Sequence, residues 1–305
     1  MMKALLHSAL FFYLLIVLVN VAGAADTALA PKVELDQKNN MATAQDGVFL
    51  KREGNTLQLD KIDLSEEKSR RLEASYTFDN LRPNEPYGDW HSGQLAFYNK
   101  VSPDFTYFVQ GALLNRNEGT GAIGTVGAYK GWTSFLYTCT SVTAGTNSTF
   151  LPQFRVDHDF NFNVWPSKNI NFLTGISYID YFDDHSDLIF SGGPMFYLDK
   201  WILHYRLFYN ISYPGDISSF SHLISVGYGQ EGWQWTHLNV SFGKQAYLAT
   251  YIVTPQEVNQ NSLSLNLRHR HWLGKDYGIF GDVSYFKLEE GYEKYGIGLG
   301  VFYEF

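Results

Sequence analysis

Arg155-Val156-Asp157-His158-Asp159-Phe160-Asn161-Phe162-Asn163-Val164 alternates between two kinds of residue almost without a break. Phe154, Val156, Phe160, Phe162 and Val164 share one face, and Arg155, Asp157, Asp159, Asn161 and Asn163 share the other. Successive strand residues point to opposite sides, so a period of two marks a two-faced strand. Trp201, Leu203, Tyr205, Leu207, Tyr209 and Ile211 repeat the pattern against His204, Arg206, Asn210 and Ser212. The end of the chain does so again, with Tyr295, Ile297, Leu299, Val301, Tyr303 and Phe305 alternating with Gly296, Gly298 and Gly300. No convincing helical stripe interrupts this period from Arg71 onward, which makes the chain all-β.

The connections between such segments differ in length. Tight turns are expected at Ser102-Pro103-Asp104, Lys130-Gly131, Pro166-Ser167-Lys168-Asn169, Asp199-Lys200, Gln230-Glu231-Gly232 and Gly274-Lys275-Asp276. Between them fall longer connections, around Arg82 to Asp89, Asn115 to Gly121, Val142 to Thr149, Asp183 to Asp187, Pro214 to Ser218, Thr250 to Gln260 and Glu289 to Glu293. The segments so delimited number about fourteen; twelve remain if the Gly-rich stretch Ile123 to Tyr129 and the region before Phe105 are not strands. Residues 71–305 shared among fourteen strands give about 17 residues per strand and connection, as a membrane crossing needs. An even strand count with short turns at one end and longer loops at the other describes a single-chain antiparallel transmembrane β-barrel. A soluble sandwich would alternate too, with its apolar faces turned to each other. Three features favour the barrel: Trp90, Trp132, Trp165, Trp201, Trp233 and Trp272 at strand ends, charges in mid-strand, and an aromatic strand closing the chain.

Composition excludes other classes. The 305 residues carry 23 Lys plus Arg against 31 Asp plus Glu, a net charge of −8. Aromatics reach 17% against 18% charged residues, the opposite of a disordered chain. An acidic total without a basic block argues against nucleic acid as a partner, and a mean hydropathy of −0.20 argues against a bundle of apolar helices. Cys139 stands alone, so no intrachain disulfide forms, and it reads as a small strand residue. Lys3, the apolar run Leu10 to Val19 and the small residues Ala22-Gly23-Ala24 have the layout of a signal peptide over residues 1–24. Residues 25–70 are polar, with the charged run Glu66-Glu67-Lys68-Ser69-Arg70-Arg71 at their end, and read as a flexible periplasmic leader with one local hairpin or helix. Residues 71–305 are the barrel.

The last strand resembles the C-terminal signal of bacterial outer-membrane proteins, in which a terminal aromatic is read by the barrel-assembly machinery; Tyr303 and Phe305 occupy those positions. The chain from Leu72 to Phe305 also resembles the YaiO-type outer-membrane β-barrel family. The resemblance rests on the opening strand Leu72-Glu-Ala-Ser-Tyr-Thr-Phe-Asp-Asn80, on Gly88-Asp89-Trp90, and on Gly227-Tyr228-Gly229 and Ser241-Phe242-Gly243. It implies a bacterial outer-membrane location, contact with outer-membrane lipid and lipopolysaccharide, and a link to envelope glycans.

Outer-membrane barrels include lipid hydrolases, so Ser and His positions need weighing. Ser221 and His222 are strand neighbours that face opposite sides and cannot act as nucleophile and base. The same parity separates His158 from Asp157 and Asp159. No catalytic residue emerges. His269 and His271, two apart, have a spacing that can serve a metal, but they continue the apolar row Leu263, Leu265 and Leu267 toward Trp272 and read as interfacial histidines. No metal and no cofactor is expected. Arg268 and Arg270 fall on the opposite face, and with Arg155, Asp157, Asp159, His204 and Arg206 they are the candidate lumen lining. Such charges either tune a narrow channel or pair across the interior and close it. Asp183, Asp184, Asp187, Glu289, Glu290 and Glu293 are expected to face outward, where they would bridge divalent cations to lipopolysaccharide or be solvated. The expected function is a non-enzymatic outer-membrane barrel, either a narrow channel or an envelope-structural component; the alternative is an outer-membrane lipid hydrolase or deacylase.

Overall fold

The structure, a computed structural model, describes residues 69–148, 150–164, 169–244, 261–289 and 291–305, together with four short strands nearer the N-terminus. The signal-peptide reading over residues 1–24, most of the leader, Trp165, residues 166–168, Glu290 and the connection 250–260 lie outside the described residues. The N-terminal strands form two antiparallel pairs, β1 (Leu35–Asp36) with β2 (Met41–Ala42) and β3 (Val48–Glu53) with β4 (Thr56–Lys61).

The remaining strands are β5 (Arg70–Arg82), β6 (Asp89–Ser102), β7 (Phe105–Arg116), β8 (Gly119–Gly131), β9 (Leu136–Gly145), β10 (Pro152–Asn163) and β11 (Ile170–Tyr181). They continue as β12 (Ser186–Leu198), β13 (Trp201–Tyr213), β14 (Ile217–Gln230), β15 (Gln234–Lys244), β16 (Asn261–Trp272), β17 (Tyr277–Leu288) and β18 (Glu293–Glu304). A four-residue helix, α1 (Asn84–Tyr87), sits between β5 and β6. Each strand pairs antiparallel with the next, and β18 pairs with β5, which closes a barrel of fourteen strands. The Gly-rich segment is a full strand, β8, and β6 supplies the one before Phe105, which excludes a count of twelve.

Closure is a matter of backbone satisfaction. An open fourteen-stranded sheet would leave two edges of unpaired N–H and C=O groups. Here the seam is zipped to its last residue: Arg70 N donates to Phe305 O at 3.0 Å and Phe305 N to Arg70 O at 2.9 Å. Directly opposed residues share a face, so one parity carries through all fourteen strands. Leu95, Leu113, Val283 and Leu299, all outward, are between 59 and 69% exposed and belong to a continuous apolar belt.

The connections are more even than the sequence suggests. β7 and β8 run further than their composition implies, so the expected long connection from Asn115 to Gly121 is a turn of two residues, Asn117 and Glu118. β8 likewise continues through Lys130 and Gly131, and the turn falls on the next four residues. Polar and glycine residues at these strand ends read as loop in sequence, although the ladder hydrogen bonds need only backbone. The end at which β5 begins and β18 finishes is called the terminal end below; the other is the far end.

Candidate functional site

The interior changes character along its length, and three neighbouring strands show how. From the terminal end, β5 turns inward Arg71, Glu73, Ser75, Thr77, Asp79 and Leu81. β17 contributes Phe280, Asp282, Ser284 and Phe286 in the same direction, and β18 contributes Phe302, Gly300, Gly298, Gly296 and Lys294. Charges come first, then hydroxyls, then the Asp79–Lys294 pair at 3.6 Å, then apolar side chains. The glycines of β18 keep that wall thin: a Cβ on Gly300 would run into the Phe280 ring.

A cavity of about 660 Å³ occupies the terminal half of the lumen. It reaches the rim at Glu231, whose side chain is 67% exposed, and extends inward to Thr77, Ser284 and Gly298. Two of its arginines share one carboxylate: Glu73 accepts a hydrogen bond from Arg270 Nη2 at 2.5 Å and lies 2.8 Å from Arg71 Nε, an ion contact that leaves this buried nitrogen without a hydrogen-bond partner among the described residues. Arg268 grips Asp282 through two nitrogens, at 2.6 and 3.1 Å. The Arg270 guanidinium lies over Phe302 at 4.9 Å and Phe280 at 5.6 Å, part of a cluster in which Trp272, Phe280 and Phe302 pack with Trp235. Neutral polar groups complete the lining: Gln94, Gln110, Asn239 and Asn266. Gln110 Nε2 donates to Tyr98 Oη at 2.8 Å, while its Oε1 is buried with no hydrogen-bond partner among the described residues.

The other candidate lumen residues, on β10 and β13, do not line this cavity. Arg155 donates three hydrogen bonds to Asp157, from Nε to Oδ1 and Oδ2 and from Nη2 to Oδ1, at 2.8 to 3.1 Å, and Ser177 Oγ donates another at 2.6 Å. Arg206 reaches across two strands to Asp159 at 2.7 and 3.2 Å, with Ser191 Oγ accepting from it at 2.6 Å. His204 also faces inward, and its Nε2 is buried without a described partner. All seven candidates therefore project to the interior, but only Arg268 and Arg270 line the cavity. The remaining four charges are bound to one another in the wall, where breaking a pair is far costlier than at a surface.

The far half is filled. Ile179, Tyr181, Ile189, Phe208 and Leu223 form one buried cluster. Ala112, Leu114 and Ile123 form a second with Phe150 and Leu151, which fold in from the β9–β10 connection. Leu81, Trp90, Phe286 and Tyr292 form a third, with Tyr87 and Leu288 against it. Arg116 ties the last two together, its guanidinium 3.7 Å from the Trp90 ring centre and 4.5 Å from that of Phe150.

Three expectations are corrected by this packing. Trp90 and Trp272 are not part of an outer aromatic girdle; parity turns both inward, where they are 5 and 6% exposed. Trp132, Trp201 and Trp233 do stand exposed at the terminal end. Asp187 does not face outward: it is the second residue of β12, on the inward parity, is fully buried, and accepts from Tyr181 Oη, Asn210 Nδ2 and Ser212 Oγ at 3.2, 3.1 and 2.5 Å. Glu293 belongs to β18 and pairs with Lys287 at 3.2 Å. His269 and His271 face outward, with His269 bonded to Thr236 Oγ1 at 2.8 Å. Ser221 and His222 diverge: Ser221 is buried inward, and His222 meets Tyr205 Oη on the outer surface at 2.9 Å. His158 is likewise outward, bonded to Thr140 at 2.8 Å. Tyr303 and Phe305 stand outward with their rings stacked 5.7 Å apart.

Sequence reasoning passed over Arg71, Glu73, Gln110, Arg116 and Asp282. Glu73 was within reach, because the polar parity of the opening strand runs straight through it. Asp282 was not, because its meeting with Arg268 depends on the register of β16 against β17.

A closed antiparallel barrel with an outward apolar belt and a polar interior defines the class, an outer-membrane-type β-barrel. A model of the family described as "YaiO membrane beta barrel domain" matches residues 69–248. The chain belongs to that family. A search of curated proteins finds no match. Among solved structures, the outer-membrane protein Omp33 of Acinetobacter baumannii is 10% identical, with a TM-score of 0.47, covering 78% of this chain and 99% of its own. The anion-selective porin of Comamonas acidovorans is 8% identical with a TM-score of 0.44, over 77% of this chain and 98% of its own. The toluene transporter TodX of Pseudomonas putida is 8% identical with a TM-score of 0.47, over 77% and 89%. These are likenesses of fold.

Proposed function

We propose that the protein is a non-enzymatic outer-membrane barrel that forms a narrow channel, closed at its far end in this conformation. The observation that carries the reading is the division of the lumen: a polar hollow behind the terminal rim, and three apolar clusters filling the rest. In this reading the signal peptide is removed near Ala25 and residues 25–70 remain as a periplasmic leader. The terminal end then faces the periplasm, and the apolar belt meets outer-membrane lipid and lipopolysaccharide. Tyr303 and Phe305 present the assembly machinery with its signal. The parity that parts Ser221 from His222, and His158 from Asp157 and Asp159, supports a non-catalytic role.

Planar-bilayer conductance tests it. The native barrel is expected to show brief, small steps, and a Trp90→Ala/Tyr292→Ala variant, which empties the third cluster, sustained larger ones. Silence in both proteins would replace the channel with a structural barrel. Release of fatty acid from outer-membrane lipid by the native protein would replace it with a hydrolase.

A further inference from the structure

Among the described residues, Arg71, Arg155, Arg206, Arg268 and Arg270 each contact a carboxylate at 2.5 to 2.8 Å. Arg116 does not. It ends β7 on the inward parity, is 8% exposed, and has two aromatic rings where the others have an acid, Trp90 at 3.7 Å and Phe150 at 4.5 Å. A ring face attracts a guanidinium but supplies no lone pair for its five N–H groups. Its side chain makes no hydrogen bond or ion pair among the described residues, yet none of its nitrogens is sealed from solvent in the way Arg206 Nε is. The N–H edge therefore stays accessible, next to the exposed turn formed by Asn117 and Glu118.

The charge around it is not balanced. Lys294 Nζ stands 5.2 Å from the same Trp90 ring and is offset by Asp79 at 3.6 Å. Glu118, out on the turn, makes no ion pair with Arg116 among the described residues. Two cations beside Trp90 thus face one inward carboxylate. The frame is also fixed: Trp90 Nε1 donates to Tyr87 O at 3.2 Å, and Phe150 rests on Gly121, where a Cβ would come within 3.3 Å of its ring. A guanidinium held in this way, with its N–H fork free, fits the paired oxygens of a carboxylate or phosphate, which accept two parallel charge-assisted bonds. Holding the fork in place beforehand lowers the cost of binding.

We infer that Arg116 forms an anion-binding site at the far-end mouth, which takes a small soluble oxyanion of the carboxylate or phosphate class. Its inward parity turns it away from the lipid-facing wall, so the ligand arrives from the water at the mouth and not from a lipid headgroup. The inference goes beyond the channel reading, since binding at the mouth does not require a continuous passage.

The test is calorimetric titration of the full barrel with inorganic phosphate, in nonionic detergent and a chloride background. Saturable binding is expected, weakened about tenfold by Arg116→Met through the loss of one charge-assisted contact. Glu118→Gln, which removes a negative charge from the exposed turn, is expected to tighten it about twofold. The absence of saturable binding would overturn the inference, and binding undiminished in Arg116→Met would overturn the location. Where that variant fails to fold, Glu118→Gln decides the location, and a stronger response to Glu231→Gln at the terminal rim would move the site out of the mouth. Lipid A added in the same detergent is expected not to compete; displacement of phosphate by it would assign the site to a headgroup and overturn the soluble ligand. Conductance does not enter the readout, so a barrel that binds phosphate but never conducts removes the channel and keeps the site.

Discussion

At Arg206 the cost of a charge inside the barrel is set by three neighbours on three strands. Asp159 on β10 accepts two of its hydrogen bonds, Ser191 on β12 accepts another, and between them β11 carries Gly175. A Cβ at Gly175 would meet the Asp159 carboxylate and stand 2.7 Å from Arg206 Nη2, so the pair passes over a residue with no side chain. Truncating one partner leaves the other buried and alone, at a cost of roughly 3–5 kcal/mol; removing both costs much less. Arg206→Leu is therefore expected to lower unfolding stability in urea by about that amount, and Asp159→Leu/Arg206→Leu to recover most of it. Equal losses in the single and double variants would show that the pair contributes no coupling. Parity in the sequence was enough to turn Asp159 and Arg206 inward. Their meeting, and the need for Gly175 beneath it, depends on strand register, which side-chain alternation does not encode.

Among the elements, β12 shows how the ladder tolerates an interruption. Pro194 has no N–H to donate, and the pairing of β12 with β13 passes from Gly192 opposite Leu207 to Met195 opposite His204. Gly193, beside it, lets the Tyr205 carbonyl approach where any Cβ would fall on that oxygen. Backbone cannot swing aside as a side chain does, so Gly193→Ala should cost about 1–3 kcal/mol by overpacking. Gly124→Ala is the comparison: its nearest atom would be 3.9 Å away, and its urea midpoint is expected to stay near that of the native protein. Strand existence was legible in the alternation of residues such as Trp201 to Ile211. Strand ends were less so, because Lys130-Gly131 and Gly119-Thr120 have turn composition yet lie in the ladder. The inward aromatic clusters were least legible: Trp90 and Trp272 carry the same strand-end signal as the exposed Trp132, and only the facing separates them.

For the whole molecule, closure joins β5 to β18, the two barrel strands most distant in sequence, so the barrel completes only after its last segment arrives. Phe305 makes two backbone bonds to Arg70 and stacks on Tyr303. Deleting it is expected to reduce sharply the fast-migrating, heat-modifiable band on gels of the membrane fraction, while Phe305→Tyr keeps that band. A truncated chain that still migrates as a compact barrel would remove the terminal residue from assembly. The pairing of charges in the vestibule has an electrical consequence as well. A lone charge carried across a membrane gains about 2.3 kcal/mol per 100 mV. Arg268 and Asp282, 2.6 Å apart within a hydrocarbon thickness of about 30 Å, form a dipole that senses at most about a tenth of that drop. Moved together, such a pair does almost no net work against the field.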